Sequence, residues 1–229
     1  MIDLDKIKSF DALSRDEQVE ALTLIDKWKN LNARDKCKSD FLEFVKHQWD
    51  GFIMGRHHKV LAKKLNRIAQ GKCKRLMVML PPRHTKSEFA STYFPAWMMG
   101  LNPSLKIIQA THTAELAVRF GRRVRNIIDS EEYQTIFPDI NLSGDNKSAG
   151  RWTTDDGGEA FYSGVGGAIT GRGADLLIID DPHSEQDAMS PTAMDAAWEW
   201  YTSGPRQRLQ PGGTIVLVMT RWSTKDLTG

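Results

Sequence analysis

Two short segments of this chain carry residues able to hold and attack a phosphate. The first is Leu80-Pro-Pro-Arg-His-Thr-Lys-Ser87, where an apolar run gives way to a helical pattern. The start of a helix presents unpaired N–H groups and the positive end of its dipole, and both attract anions. Lys86 supplies a point charge for β- and γ-phosphates, and the Ser87 hydroxyl supplies a ligand for magnesium. Against the pattern G-x-x-x-x-G-K-[ST] the Lys-Ser pair fits, but Leu80 and Thr85 stand where glycine is expected. Pro81 and Pro82 keep the chain extended before the turn. Arg83 adds a guanidinium fork suited to phosphate oxygens. Pro82, Arg83, His84, Thr85, Lys86, Ser87 and Glu88 together form the candidate nucleotide-binding segment. The competing reading is a strand–loop–helix with a chance Lys-Ser pair.

The second segment is Leu176-Leu-Ile-Ile-Asp-Asp181, an apolar strand ending in two carboxylates. Open parallel sheets bind ligands at the carboxyl ends of their strands. Asp180 is expected to hold magnesium, directly or through water, and Asp181 to orient or deprotonate an attacking water. Here the competing reading is an Asp-Asp turn invited by Pro182. Each segment is modest alone. Their order, and the room between them for strand–helix units, makes the pair stronger than either.

Three further positions join them. Thr220, at the end of the last apolar run, is placed to sense a γ-phosphate and relay hydrolysis to a moving segment. Arg172, between Gly171 and Gly173, is expected to be exposed and able to reach a neighbouring subunit's phosphate. Trp49 with Phe52 could stack an adenine, although a structural role is the stronger reading. Of the histidines, His57 and His58 start a helix, and His84, His112 and His183 fall on separate loops. No pair has zinc-ligand spacing, so a metal role is not expected for them.

The elements that must position these residues are readable from periodicity. Ser14-Arg-Asp-Glu17 is a capping box opening a helix to about residue 30, with Val19, Leu22, Ile25 and Trp28 on one face. A short helix follows through Phe41, Phe44 and Val45, and another runs from about 57 to 70. Strands are expected at 75–80, 105–110, 159–162, 176–179 and 214–219. Helices are expected at 87–99, from Thr113 to about 128, and at 192–201. The stretch 143–158 reads as an irregular spacer, and 164–173, with five glycines, as a ligand-shaped or mobile loop. Apolar strands alternating with helices imply an α/β fold with a mostly parallel sheet covered on both faces. Residues 1–55 read as a helical cover, and 56–229 as the core.

Composition sets outer bounds. The chain has 229 residues, 26% charged and 40% hydrophobic, which suits one sizeable α/β domain. Cys37 and Cys73 offer neither a metal spacing nor a disulfide framework, so a reducing cytoplasm fits. No apolar run approaches a membrane span, and the first residues do not read as a signal peptide. Eight Lys or Arg and no acid lie between Arg56 and Arg75, and Arg119, Arg122, Arg123 and Arg125 form a second cluster. Basic patches beside a local acidic site suit a protein that meets polyanions; solvated helix faces are the alternative.

The phosphate loop, Gly171-Arg-Gly-Ala-Asp-Leu-Leu-Ile-Ile-Asp-Asp-Pro182 and Thr220-Arg-Trp222 together resemble the large terminase subunit of tailed bacteriophages. The upstream Phe44, Trp49, Phe52 and His57-His58 pattern is similar to the stretch before the phosphate loop in that family. The resemblance spans about residues 41–229. It implies a three-layer α/β/α P-loop NTPase of the additional-strand, RecA-like type, hydrolysing ATP with Mg2+ to translocate double-stranded DNA into a procapsid. Arg83, Lys86 and Ser87 would be its Walker A residues, Asp180 the Walker B residue, Asp181 the stand-in for a catalytic glutamate, and Thr220 the coupling motif. Arg172 would be the arginine finger acting in trans. Trp49 and His58 would line the nucleotide. The implied partners are a portal protein, the small terminase subunit and copies of the chain in a ring of five, in the host cytoplasm and transiently at the procapsid, with no part in the virion. The family's C-terminal nuclease domain is not expected in this chain, and neither is nuclease activity. A superfamily-2-like helicase and a non-hydrolysing DNA-binding module are the alternatives.

Overall fold

The computed structural model describes residues 13–169 and 171–229. The first twelve residues of the expected cover, and Thr170 of the glycine-rich loop, lie outside the described residues. Seven strands form one sheet in the order β1 (Arg75–Met79), β7 (Leu209–Met219), β6 (Ala174–Asp180), β2 (Lys106–Thr111), β5 (Glu159–Gly164), β4 (Arg151–Thr154) and β3 (Leu142–Ser148). The first five are mutually parallel, and β4 and β3 extend the sheet antiparallel. A single row runs across the parallel strands, from Val78 to Val218, Asp180, Thr111 and Gly164. All five therefore end on the same edge.

Alternation along each strand divides the core between two faces. Val78, Ile107, Leu176, Ile178, Val216 and Val218 face one side, and Ile108, Leu177, Ile179, Ile215 and Leu217 the other. Helix α7 (Pro191–Ser203) covers the second side through Trp200 and Tyr201. The first is covered by α2 (Phe41–Gln48), α3 (Arg56–Ala69), α4 (Phe94–Leu101), α5 (Ala114–Ile128) and α6 (Glu131–Ile136). Helices thus sit on both faces of a mostly parallel sheet, as the alternating pattern requires.

The helical cover shares this core. Phe41 is fully buried, with its ring 5.6 Å from Phe89, 5.7 Å from Phe94 and 5.4 Å from Trp97. Asp40 caps α2 through the N–H groups of Leu42 and Glu43, and accepts from Asn66 Nδ2 at 2.8 Å. Asn66 Oδ1 in turn accepts the Phe41 N–H, which ties α2 to α3.

Four expectations change. Helix α1 (Arg15–Ser39) continues past residue 30, because nothing breaks it before Asp40. Its Ser14–Glu17 capping box is formed, but Val19, Leu22, Ile25 and Trp28 are exposed instead of packed. The spacer expected at 143–158 is instead largely the β3–β4 hairpin. Its poor strand propensity is overridden by pairing with β5 and by fully buried Trp152, whose Nε1 donates to the Gly121 carbonyl. The helix after the Leu80–Ser87 loop has a π turn at Glu88–Tyr93 before α4.

Candidate active site

The loop between β1 and its helix takes a shape that glycine would adopt freely, without using glycine. Arg83 has φ 62° and Thr85 has φ 57°. Each left-handed non-glycine residue costs about 1–3 kcal/mol, so something must hold it. At Thr85 the holder is His58. Its Nε2 lies 2.6 Å from Thr85 Oγ1, and its Nδ1 lies 2.8 Å from the Gly55 nitrogen. The Gly55 N–H can only donate, so Nδ1 is the acceptor and the ring proton is on Nε2. His58 therefore donates to Thr85, whose hydroxyl donates on to the His84 carbonyl at 2.7 Å. The imidazole is buried and stacked on Phe89 at 4.8 Å. Burial, with His57 beside it, keeps its pKa below the ordinary histidine value, which favours this neutral relay.

The two acids meet this loop. Lys86 is buried at 6% exposure, and its Nζ lies 2.7 Å from Asp181 Oδ2. Ser87 Oγ donates to Asp180 Oδ1 at 3.0 Å. Burial pushes the Asp180 carboxyl up to about 7, and Asp181 beside it adds to this, while the Ser91 and Ser87 hydroxyls and Lys86 act the other way. Asp180 Oδ2 is buried with no hydrogen-bond partner. Asp181 is the third left-handed non-glycine residue, at φ 43°. All three such residues in the described chain lie here, as expected where backbone strain serves a site.

Thr220 closes the arrangement. Its backbone N–H donates to Asp181 Oδ1 at 2.8 Å, and its hydroxyl reaches the Leu80 carbonyl at 3.4 Å. The Asp181 N–H donates to the Val218 carbonyl. Strand β7 thus bonds to both acid and loop, since it lies between β6 and β1.

Other expected residues lie differently. Pro82, Arg83 and His84 are exposed on the loop. Glu88 points away from it and makes a two-pronged ion pair with Arg123 of α5. Trp49 stacks on Tyr93 at 5.4 Å and packs against Phe52, as a core side chain does. Arg172 sits just before β6, beyond the opposite end of that strand from Asp180. It is not the exposed, adaptable arginine expected. It pairs with Glu159 and lies 4.1 Å over the Phe161 ring.

Sequence reasoning missed a buried polar seam behind Asp180. Gln109 Nε2 donates to the Ser91 carbonyl; Ser91 Oγ sits near Asp180 without a well-formed hydrogen bond, and Thr92 Oγ1 and Gln109 Oε1 are buried without partners. The available signal was a Ser-Thr pair between Phe89 and Tyr93 in an otherwise apolar helix. Also missed was His183 Nε2, which accepts the Leu227 N–H and links the segment after Asp181 to the segment after Thr220.

No protein-family model and no curated protein matches the sequence. Among solved structures, the chain is similar to the crystal structure of the HK97 bacteriophage large terminase, with a TM-score of 0.53 and 10% identity. The chain has a terminase-like fold. The match covers 77% of this chain and 35% of the terminase chain, so the present chain spans about a third of that protein's length. Among the described residues of this terminase-like fold, no helix is long and apolar enough to cross a membrane.

Proposed function

We propose that this chain is the ATPase motor domain of a terminase large subunit, hydrolysing ATP to move double-stranded DNA into a procapsid. One observation carries the reading. Lys86 and Ser87, from a strand–loop–helix, touch Asp181 and Asp180, from the end of another parallel strand. A P-loop fold of the additional-strand type fits this, because β7 lies between the strand leading to Lys86 and the strand leading to Asp180. The likeness to a phage terminase favours DNA packaging over other uses of such a site.

Magnesium fits Ser87 and Asp180. The orphaned Asp180 Oδ2 is a hard oxygen lacking a partner, whose charged form a cation would stabilise, and magnesium needs few protein ligands when phosphates complete its shell. Bound there, it would neutralise charge on the phosphates. In the reaction, water attacks the γ-phosphorus in line, the bond to the β-phosphate oxygen breaks, and ADP leaves. Lys86 and Arg83 hold the phosphate oxygens and stabilise their charge. A γ-phosphate gripped by Lys86 displaces Asp181 from its ion pair, leaving that carboxylate to orient the water and take its proton. Because Asp181 also holds the Thr220 N–H, its movement reaches the end of β7 and the Leu80 carbonyl. Arg172, clamped by Glu159, would need to be released to serve a neighbour in a ring of five on the portal. The small terminase subunit completes the proposed partners.

The test is magnesium-dependent ATP turnover by the purified chain, with and without duplex DNA and portal. Lys86→Ala is expected to abolish it. Turnover that survives Lys86→Ala, or absence of turnover in every condition, rejects the proposal.

A further inference from the structure

Helix α3 has two opposed faces. Leu61, Ala62, Leu65 and Ile68 are buried in the core. Arg56, Lys59, Lys63, Lys64 and Arg67 are exposed. At 100° per residue these five cations fall within about 140° of one another, and Arg56, Lys63 and Arg67 within about 40°. From Arg56 to Arg67 the stripe is about 17 Å long at 1.5 Å per residue. No acid occurs from Arg56 to Arg75. None of the five is among the ion pairs of the described residues. An uncompensated row of like charges on a rigid rod is a surface for a polyanion.

The geometry favours one class of polyanion. A duplex carries one charge per about 1.7 Å of axis, or about ten along this stripe. Single strands are held by stacking bases on aromatic rings, and the exposed face of α3 has none. A bilayer-bound helix needs a free apolar face, and that of α3 is buried in the core. Only Val60 on the helix, and Ile53 and Met54 just before it, are exposed apolar side chains there. The same helix carries His58, whose hydrogen bond holds Thr85 in the phosphate loop.

We propose that the outward face of α3 binds the phosphate backbone of a nucleic-acid duplex, and that the His58–Thr85 hydrogen bond carries this binding to the phosphate loop. The surface stands on charge and geometry alone; the coupling rests on the ATPase reading above. The surface is tested by fluorescence anisotropy of a labelled duplex against salt, without nucleotide. Five contacts give a log–log salt slope of about −4.5. The triple variant Arg56→Gln, Lys63→Gln, Arg67→Gln should flatten it by roughly 2.7, weakening binding roughly 500-fold at about 0.1 M salt. A slope unchanged in this variant overturns the surface. So does a wild type that binds phosphatidylserine vesicles and not the duplex. Coupling is read as stimulation of ATP turnover by the duplex. The triple variant should keep the basal rate and lose stimulation. His58→Phe should keep the DNA slope and lose stimulation. Full stimulation in His58→Phe overturns the coupling. Absence of turnover in every form rejects the ATPase reading and the coupling with it, while a flattened slope still upholds the surface.

Discussion

Replacing Asp180 with Asn should make the protein more stable and inactive. The folded chain keeps the Asp180 proton up to about pH 7, against an ordinary value of 3.8. This is an acid whose folded pKa is raised. The stability from its protonated form is therefore complete below about pH 4 and is lost as the pH rises to about 7. The difference of about 3 pH units corresponds to about 4 kcal/mol of penalty for the ionised carboxylate at pH 8. Asn cannot ionise, and its Oδ1 still accepts from Ser87. Its amide, at the place of the partnerless Oδ2, introduces an unsatisfied donor worth about 1–3 kcal/mol. The net gain at pH 8 is about 1–3 kcal/mol, or roughly 5 °C in Tm for a chain of this length. At pH 5 the native carboxyl is already neutral, so the gain should vanish or reverse. Calorimetric melts of both proteins at pH 5 and 8, with chelator, read this directly. A variant that melts no higher at pH 8, or by the same margin at both pH values, refutes the argument. Magnesium-dependent turnover should be lost at either pH.

Phe41→Ala should cost about 3–5 kcal/mol in urea unfolding and keep one transition, since its ring packs on both cover and core; two separated transitions would contradict a shared core. At the loop, Thr85→Ala loses the His58 bond and keeps the left-handed strain, costing about 1 kcal/mol, whereas Thr85→Gly relieves that strain and should be nearly neutral. Equal melting shifts for the two would show that φ at residue 85 carries no strain. His58 has a lowered folded pKa, so its contribution is complete above about pH 6.5 and is lost as the pH falls below it. ATP affinity should weaken as the pH falls below about 6.5 and His58 takes up a proton, and His58→Phe should flatten that profile. Arg172→Ala should lower Tm by a few degrees and leave single-chain ATP affinity intact, measured by calorimetric titration.

What could be read in the sequence was local. The apolar runs 176–179 and 214–219 are strands because their residues bury both faces of a parallel sheet. Ser14 and Thr113 cap helices because their side-chain oxygens accept N–H groups three residues on. Lys86 and Asp180 could be singled out because their chemistry is bound to strand ends. What could not be read depends on neighbours far along the chain. The insertion of β7 beside β1 has no local signature, and neither does the clamp that Glu159 puts on Arg172. The π turn at Glu88–Tyr93 and the left-handed Thr85 are imposed by packing, and a glycine-based pattern cannot see a tether made by His58. The outward face of α1 reads as core because periodicity reports a face without saying what lies against it.

The position of β7 also sets a timetable for the chain as it is made. Strand β1 pairs only with β7 among the described strands, and the Leu80 and Thr220 contact that closes the site joins residues 140 apart. At about 5–20 residues per second, synthesis leaves the β1 segment without its partner for roughly 7–28 s. Throughout that interval β1 lacks its hydrogen-bonded neighbour, and Thr220 is not yet there to hold Asp181. An abbreviated translation product ending before β7 would thus carry an intact loop sequence and no assembled site. Nucleotide affinity of such ribosome-bound intermediates would report the docking of one strand, the last of the described strands.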